Sequence, residues 1–213
     1  PLTAENLGAF TLSAMDPVVY DASGAHFGSG IAGDDGRSYL RTVGTDYATV
    51  SFVAEVTFTT TDDAAQQVFF GLGTGDKALF GTPDWSTQFS SASFWPEVNN
   101  DKITRFRTAN DVNSFGDTTV AGFDVGTHRL RMTFNAANMQ LLCEIDLNYA
   151  GGPFVADPVG SNFPIVTTSL FAADGWPTEP SSIFFGGDDG AVLRDFSVSV
   201  VPEPAAAVLL VLG

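Results

Sequence analysis

The chain has 213 residues, and 9 Lys plus Arg against 25 Asp plus Glu give it a net charge of −16. With 44% apolar and 12% aromatic residues it can bury enough surface to fold, which excludes a disordered chain, and its composition is not that of a coiled coil. The acidic balance excludes a nucleic-acid partner, because phosphates would meet a surface of their own sign and release no counterions. The single cysteine, Cys143, rules out an intrachain disulfide framework, and with only two histidines, His26 and His128, a catalytic zinc site is not expected.

Taken in chain order, the local pattern is dominated by period two. Ala9–Leu12 and Tyr39–Val43 are short strand candidates. Val50, Phe52, Ala54, Val56 and Phe58 alternate with Ser51, Val53, Glu55, Thr57 and Thr59, the signature of a half-buried strand. Gln67–Leu72 and Ile103–Thr108 follow as shorter strands. Leu130, Met132 and Phe134 alternate with Arg129, Arg131 and Thr133, and Asn135-Ala136-Ala137-Asn138 is a turn that sends Met139–Leu147 back as the partner strand of a hairpin. Ile183–Phe185 and the alternation Asp195–Val200 complete the set.

Helix signals are scarce, and the 22 Gly and 11 Pro fall mostly between the strands, where they make turns. The 19 Phe suit the space between two sheets packed about 10 Å apart, since Phe needs no hydrogen-bond partner there. The expected fold is all-β: an antiparallel two-sheet jelly-roll sandwich over residues 1–200. Residues 201–213 form a separate segment, Val201-Pro202-Glu203-Pro204 followed by nine apolar residues. A membrane span needs about 20, so this run is expected to be a truncated membrane helix. No basic region followed by an apolar run, the mark of a signal peptide, is visible after Pro1-Leu2-Thr3.

Pro202, Glu203 and Pro204, set between a β domain and an apolar run, resemble the PEP-CTERM sorting signal of Gram-negative bacteria. That resemblance implies export, processing by an exosortase-type membrane enzyme, residence at the cell envelope, cell surface or extracellular matrix, and contact with the membrane only through the C-terminal segment. The basic cluster that ends the family's signal does not follow within the 213 residues. The body, through THRLRMTFNAANMQLLCEIDLNYAGGPF, SSIFFGGDDGAVLRDFSVSV and VFFGLGTGD, resembles the concanavalin A-like or laminin-G-like jelly rolls. Such domains bind glycans, in some cases hydrolyse them, and in others only support.

Glu144-Ile145-Asp146-Leu147-Asn148 resembles the catalytic strand of laminarinase- and lichenase-type retaining glycosidases, with Glu144 matching the nucleophile and Asp146 the assisting Asp. Alternate positions of a strand would place the polar side chains on one face. Asn148 stands where that family has its acid/base Glu, and an amide cannot protonate the leaving oxygen. The plainer reading is a sheet strand with Cys143, Ile145 and Leu147 inward. Cys143 is expected to be a buried inert thiol. No Gly-Xaa-Ser-Xaa-Gly elbow supports a hydrolytic triad.

Asp34-Asp35-Gly36, Asp188-Asp189-Gly190 and Asp195 supply the hard oxygens calcium takes, or else ordinary turn chemistry. The jelly-roll resemblance implies a structural calcium with Asp195 among its ligands; no other cofactor is expected. Trp85, Trp95 and Trp176, which lie in Gly/Pro/Ser-rich stretches, could stack on sugar faces, and Arg105 and Arg107 share one face of a strand. The expectation is therefore an exported, non-catalytic domain that contacts polysaccharide. The alternatives are a divergent glycoside hydrolase and a structural surface protein without ligand.

Overall fold

The computed structural model describes residues 10–14, 18–27, 37–42, 44–61, 66, 68–73, 91–96, 103–108, 115–119, 125–138, 140–157, 163–166, 182–188 and 190–201. Every regular element among them is a strand: β1 (Phe10–Ala14), β2 (Val19–Asp21), β3 (Gly24–Phe27), β4 (Arg37–Thr42), β5 (Phe52–Thr60), β6 (Val68–Gly73), β7 (Ser91–Pro96), β8 (Ile103–Thr108), β9 (Phe115–Thr119), β10 (Gly126–Asn135), β11 (Gln140–Asp146), β12 (Phe163–Val166), β13 (Ser182–Asp188) and β14 (Ala191–Val200). They form two seven-stranded sheets, ordered β1-β4-β13-β6-β7-β8-β9 and β12-β11-β10-β5-β14-β3-β2. All pairings are antiparallel. We call them the first and second sheet.

The pleat explains which residues meet in the middle. Phe52, Ala54, Val56 and Phe58 of β5, Leu130, Met132 and Phe134 of β10, and Leu141, Cys143 and Ile145 of β11 are all buried in one core, as their alternation predicts. The first sheet supplies Leu40, Phe70, Leu72, Ile183 and Phe185. Phe185 of β13 and Phe196 of β14 stack across the gap with ring centroids 4.4 Å apart, tying one sheet to the other. Tyr47 packs edge-on to Phe52 at 5.4 Å, and Phe52 lies 5.6 Å from Phe134. Burial of each such large apolar side chain contributes about 1.5–3 kcal/mol.

Two features depart from simple alternation. The register of β14 against β5 shifts between Leu193 and Asp195, so Arg194 is the extra residue of a bulge. Upstream of it Val192 and Leu193 are both buried; downstream, Phe196 and Val198 pack against the core while Asp195, Ser197 and Ser199 face out. The tip of the β2–β3 hairpin is pressed against this strand. Gly24 has φ +142°, and a Cβ there would stand 2.2 Å from the Leu193 carbonyl oxygen, so only glycine fits.

The β10–β11 turn falls where the Asn-Ala-Ala-Asn string predicts it. Asn135 Oδ1 accepts from the Ala137 N–H at 3.0 Å, Asn138 Oδ1 accepts from the Gln140 N–H at 3.2 Å, and Ser51 Oγ accepts from the Ala136 N–H at 3.1 Å. No helix among the described residues is long and apolar enough to cross a membrane. The expected truncated membrane helix lies outside the described residues.

Candidate functional site

The outward face of the second sheet carries a charge lattice. Glu144, Arg131, Glu55 and Ser197 occupy one row across β11, β10, β5 and β14. Asp146, Arg129, Thr57 and Asp195 occupy the next. Glu55 sits between the two arginines. Arg131 Nε donates to Glu55 Oε1 at 2.7 Å, and Arg129 Nη2 lies 2.8 Å from Glu55 Oε2. Glu144 is more loosely held, 4.0 Å from Arg131 Nη1.

The segment 147–157 folds over this lattice and is tied down at several points. The Asn148 N–H donates to His128 Nδ1 at 3.2 Å, and the Tyr149 N–H to the Thr127 carbonyl at 2.7 Å. Arg129 Nη1 donates to the Tyr149 hydroxyl at 2.7 Å, and that hydroxyl donates to the Gly152 carbonyl at 3.1 Å. The Val155 N–H donates to Asp146 Oδ2 at 2.8 Å, and the Asp157 N–H to the Ile145 carbonyl at 2.7 Å. The Arg131 guanidinium lies 3.8 Å from the Phe154 ring centroid, a cation–π contact.

This geometry bears on the glycosidase-like string. β11 ends at Asp146, and Asn148 has φ +54°, so the third position of that string sits in a turn rather than on the strand. The expected one-faced Glu–Asp–Asn ladder is thereby corrected: Asn tolerates the left-handed conformation, and the chain reverses where a third rung would stand. Asp146 is only 8% exposed and accepts the loop's backbone N–H, and Glu144 faces Arg131. Both carboxylates therefore have structural partners. Cys143 is fully buried, and burial, with a smaller effect from Glu144, pushes its thiol far above the ordinary value of 9.0, in line with an inert thiol.

A second polar group went unnoticed in the sequence. Asp21, Ser23 and His26 meet on the β2–β3 hairpin. The Ser23 hydroxyl and N–H both donate to Asp21 Oδ1, and His26 Nε2 lies 3.0 Å from that oxygen and 2.9 Å from Ser23 Oγ. The Ser23 hydroxyl first, then His26, then the Ser23 N–H hold the Asp21 carboxyl well below the usual range. Both partners use the same ring nitrogen, so the group closes a turn and does not form a proton relay, which needs one partner on each nitrogen.

The glycan-stacking candidates belong to the first sheet. In β7 and β8 the register sets Trp95 opposite Arg105 and Ser93 opposite Arg107. The intervening row runs Leu40–Phe185–Phe70–Phe94–Phe106, and its first three residues are buried in the core. Period two therefore puts positions 93, 95, 105 and 107 on the face turned away from the core. Trp85 and Trp176 lie outside the described residues, as do Asp34, Asp35, Pro202, Glu203 and Pro204.

The acidic candidates are separated. Asp188 ends β13, opposite Arg37 of β4, whereas Asp195 is an exposed residue on the outward face of the second sheet. Five residues of strand between Gly190 and Asp195 span roughly 17 Å. Asp189 lies outside the described residues, among which no three His, Cys, Asp or Glu gather as a metal site. The residues described thus do not bring Asp195 and Asp188 to one cation.

The architecture is a legume-lectin-like, concanavalin A-like sandwich. The Bauhinia forficata lectin, solved with GalNAc, has a TM-score of 0.64 at 12% identity, over 93% of this chain and 95% of the lectin. The carbohydrate recognition domain of Emp46p, solved as a point mutant, has a TM-score of 0.61 at 12% identity, over 91% of this chain and 89% of that domain. The exoplasmic/lumenal domain of VIP36, solved in a Ca2+- and Man-bound form, has a TM-score of 0.60 at 9% identity, over 93% of this chain and 85% of that one. No protein-family profile matches the chain, and no curated protein matches it by sequence.

Proposed function

We propose that this chain is a non-catalytic carbohydrate-binding domain, exported and held at the cell envelope, cell surface or matrix, whose ligand is a polysaccharide. The observation that carries this reading is the register of β7 on β8. In that register Trp95 pairs with Arg105 and Ser93 with Arg107. An indole face stacks on the apolar face of a sugar, and guanidinium groups donate to its hydroxyls, so the two residue types side by side suit a glycan. Trp85 and Trp176 are the further stacking residues of the same reading. The solved likenesses include proteins whose structures hold GalNAc or Man. The structural partners of Glu144 and Asp146 support a binding role over a hydrolytic one.

Export rests on Pro202, Glu203 and Pro204 as a sorting signal cut by an exosortase-type enzyme, with residues 201–213 as a unit separate from 1–200. Replacing Pro202-Glu203-Pro204 by alanines in the native host should then redirect the protein between cell fractions. A structural calcium, in this reading, would draw its ligands from Asp195 or from the Asp188-Asp189 turn; its signature is a melting-temperature rise that EDTA abolishes.

The direct test is pull-down on a panel of insoluble and immobilised polysaccharides. Trp95→Ala should weaken retention at least tenfold with the melting temperature kept. No retention on any member would favour a structural surface domain without ligand.

A further inference from the structure

His128 shares the inward face of β10 with Leu130, Met132 and Phe134, and it is fully buried. Its ring lies 5.5 Å from that of Phe58, its register partner on β5, and its Nδ1 accepts the backbone N–H of Asn148 at 3.2 Å. A backbone N–H can only donate, so Nδ1 carries a lone pair, and the imidazole is neutral with its proton on Nε2. The contact falls at the root of the segment 147–157, where Asn148, at φ +54°, turns the chain away from β11. A proton taken up at Nδ1 would set N–H against N–H and put a cation into the interior, and both are costly. Among the described residues, the inward faces of β5, β11 and β6 are apolar but for Thr60 and Cys143, and the Cys143 thiol is the one titratable group on them. On the outward side stand Arg129, Arg131, Glu55, Glu144 and Asp146, with the Tyr149 phenol bound to Arg129 and Asp157 at the far end of the segment. The strain of a protonated ring is relieved most easily in the segment itself. Strand β10 is paired on both edges, whereas Asn148 and residues 150–153 are exposed, and Gly151 and Gly152 have positive φ with open space beside them.

We infer that residues 147–157 form a proton-operated strap over the charge lattice, latched from inside the sandwich by neutral His128 and released at its root when His128 is protonated in mildly acid solution. The direction follows from which state takes the proton: the closed strap holds the neutral ring, so acid favours the open one. Release at Asn148 and Tyr149 withdraws the Tyr149 hydroxyl from Arg129 Nη1, and so uncovers a guanidinium whose side chain is 15% exposed with the strap closed. The far end keeps its own anchors, the Val155 N–H on Asp146 and Phe154 on Arg131, so the opening begins at the root. The device is independent of the carbohydrate-binding reading and stands or falls without it.

The experiment uses the full chain, labelled with nitrogen-15, and compares about pH 7.5 with about pH 5.5, an interval in which histidine changes charge and which stays above the ordinary carboxylate range. Long-range proton–nitrogen correlations of the His128 ring should show the Nε2–H tautomer at the higher pH. Amide-exchange protection at Asn148 and Tyr149, corrected for the intrinsic pH dependence of exchange, should fall by about tenfold or more at the lower pH, while Val56 and Leu130 in the sheet stay protected. His128→Asn supplies an oxygen acceptor that does not titrate, and should keep the root protected at both pH values. His26→Asn, at the other histidine, should leave the response as it is. Should His128→Asn fail to fold, the ring tautomer, the exchange pattern and His26→Asn decide on their own. The Nδ1–H tautomer at the higher pH, equal protection at both pH values, or a response that survives His128→Asn or vanishes in His26→Asn overturns the inference. Protection lost together at Asn148, Val56 and Leu130 overturns it too, since that is unfolding of the sandwich and not release of a strap.

Discussion

Asp146 Oδ2 accepts the backbone N–H of Val155 at 2.8 Å, nine residues further along the chain. The last residue of β11 is thus the anchor of the segment that lies over the charge lattice. Removing it orphans that N–H and frees the far end of the loop. Asp146→Ala should cost about 1–3 kcal/mol of stability, the range for a partnered buried polar group lost, and speed amide exchange at Val155. Loss of stability without faster exchange at Val155 would contradict an anchoring role.

Glu55 and Glu144 flank Arg131 in the same row but differ in worth. Glu55 meets two guanidinium groups at 2.7 and 2.8 Å with a side chain 17% exposed, whereas Glu144 is 4.0 Å from Arg131. Glu55→Ala should cost about 2–3 kcal/mol, below the value for a fully buried pair because water still screens it. Glu144→Ala should cost less than about 0.5 kcal/mol. Equal losses in denaturant titration would show that the lattice acts as one network.

Cys143 gives a pH dependence with a definite sign. Its thiol is raised in the folded state above the ordinary value of 9.0. The unfolded chain therefore releases this proton first, and the folded state keeps it. The contribution is constant below pH 9.0 and declines as pH rises above it. Urea titrations at about pH 8 and about pH 10 should show this decline, absent in Cys143→Ala. A disulfide-exchange reagent should reach the thiol only on unfolding.

Gly24 is the tightest backbone approach described. Any Cβ would collide with the Leu193 carbonyl, which belongs to backbone and cannot step aside. Gly24→Ala should therefore cost more than about 2 kcal/mol, well above an ordinary surface substitution. A change within about 0.5 kcal/mol would mean the β2–β3 hairpin shifts off β14 at little cost.

The sandwich was legible because its central strands are long and one-faced. Val50–Phe58, Leu130–Phe134 and Asp195–Val200 announced β5, β10 and the end of β14 through period two alone. The strands missed were those where the signal is short or broken. β2 and β3 have three and four residues, and the stretch upstream of Asp195 contains a bulge that puts Val192 and Leu193 inside together. β7 and β9 carry too few large apolar residues in alternation, and β12 contains Pro164. For the site, Arg105 and Arg107 could be read from one strand. The Glu144–Asp146 string misled in the opposite way, since alternation on paper continued to Asn148 where the strand had already ended.

The central claim is that the outward face of the first sheet, around Trp95, Arg105 and Arg107, holds a polysaccharide. Chemical-shift mapping of the isotopically labelled chain during titration with oligosaccharides of the polysaccharides in the pull-down panel addresses it most directly. Shifts concentrated on β7 and β8, with the indole N–H of Trp95 among the largest, are the predicted result. Shifts concentrated on β5, β10 and the 147–157 segment, or no oligosaccharide of the whole panel producing shifts at saturation, would contradict it.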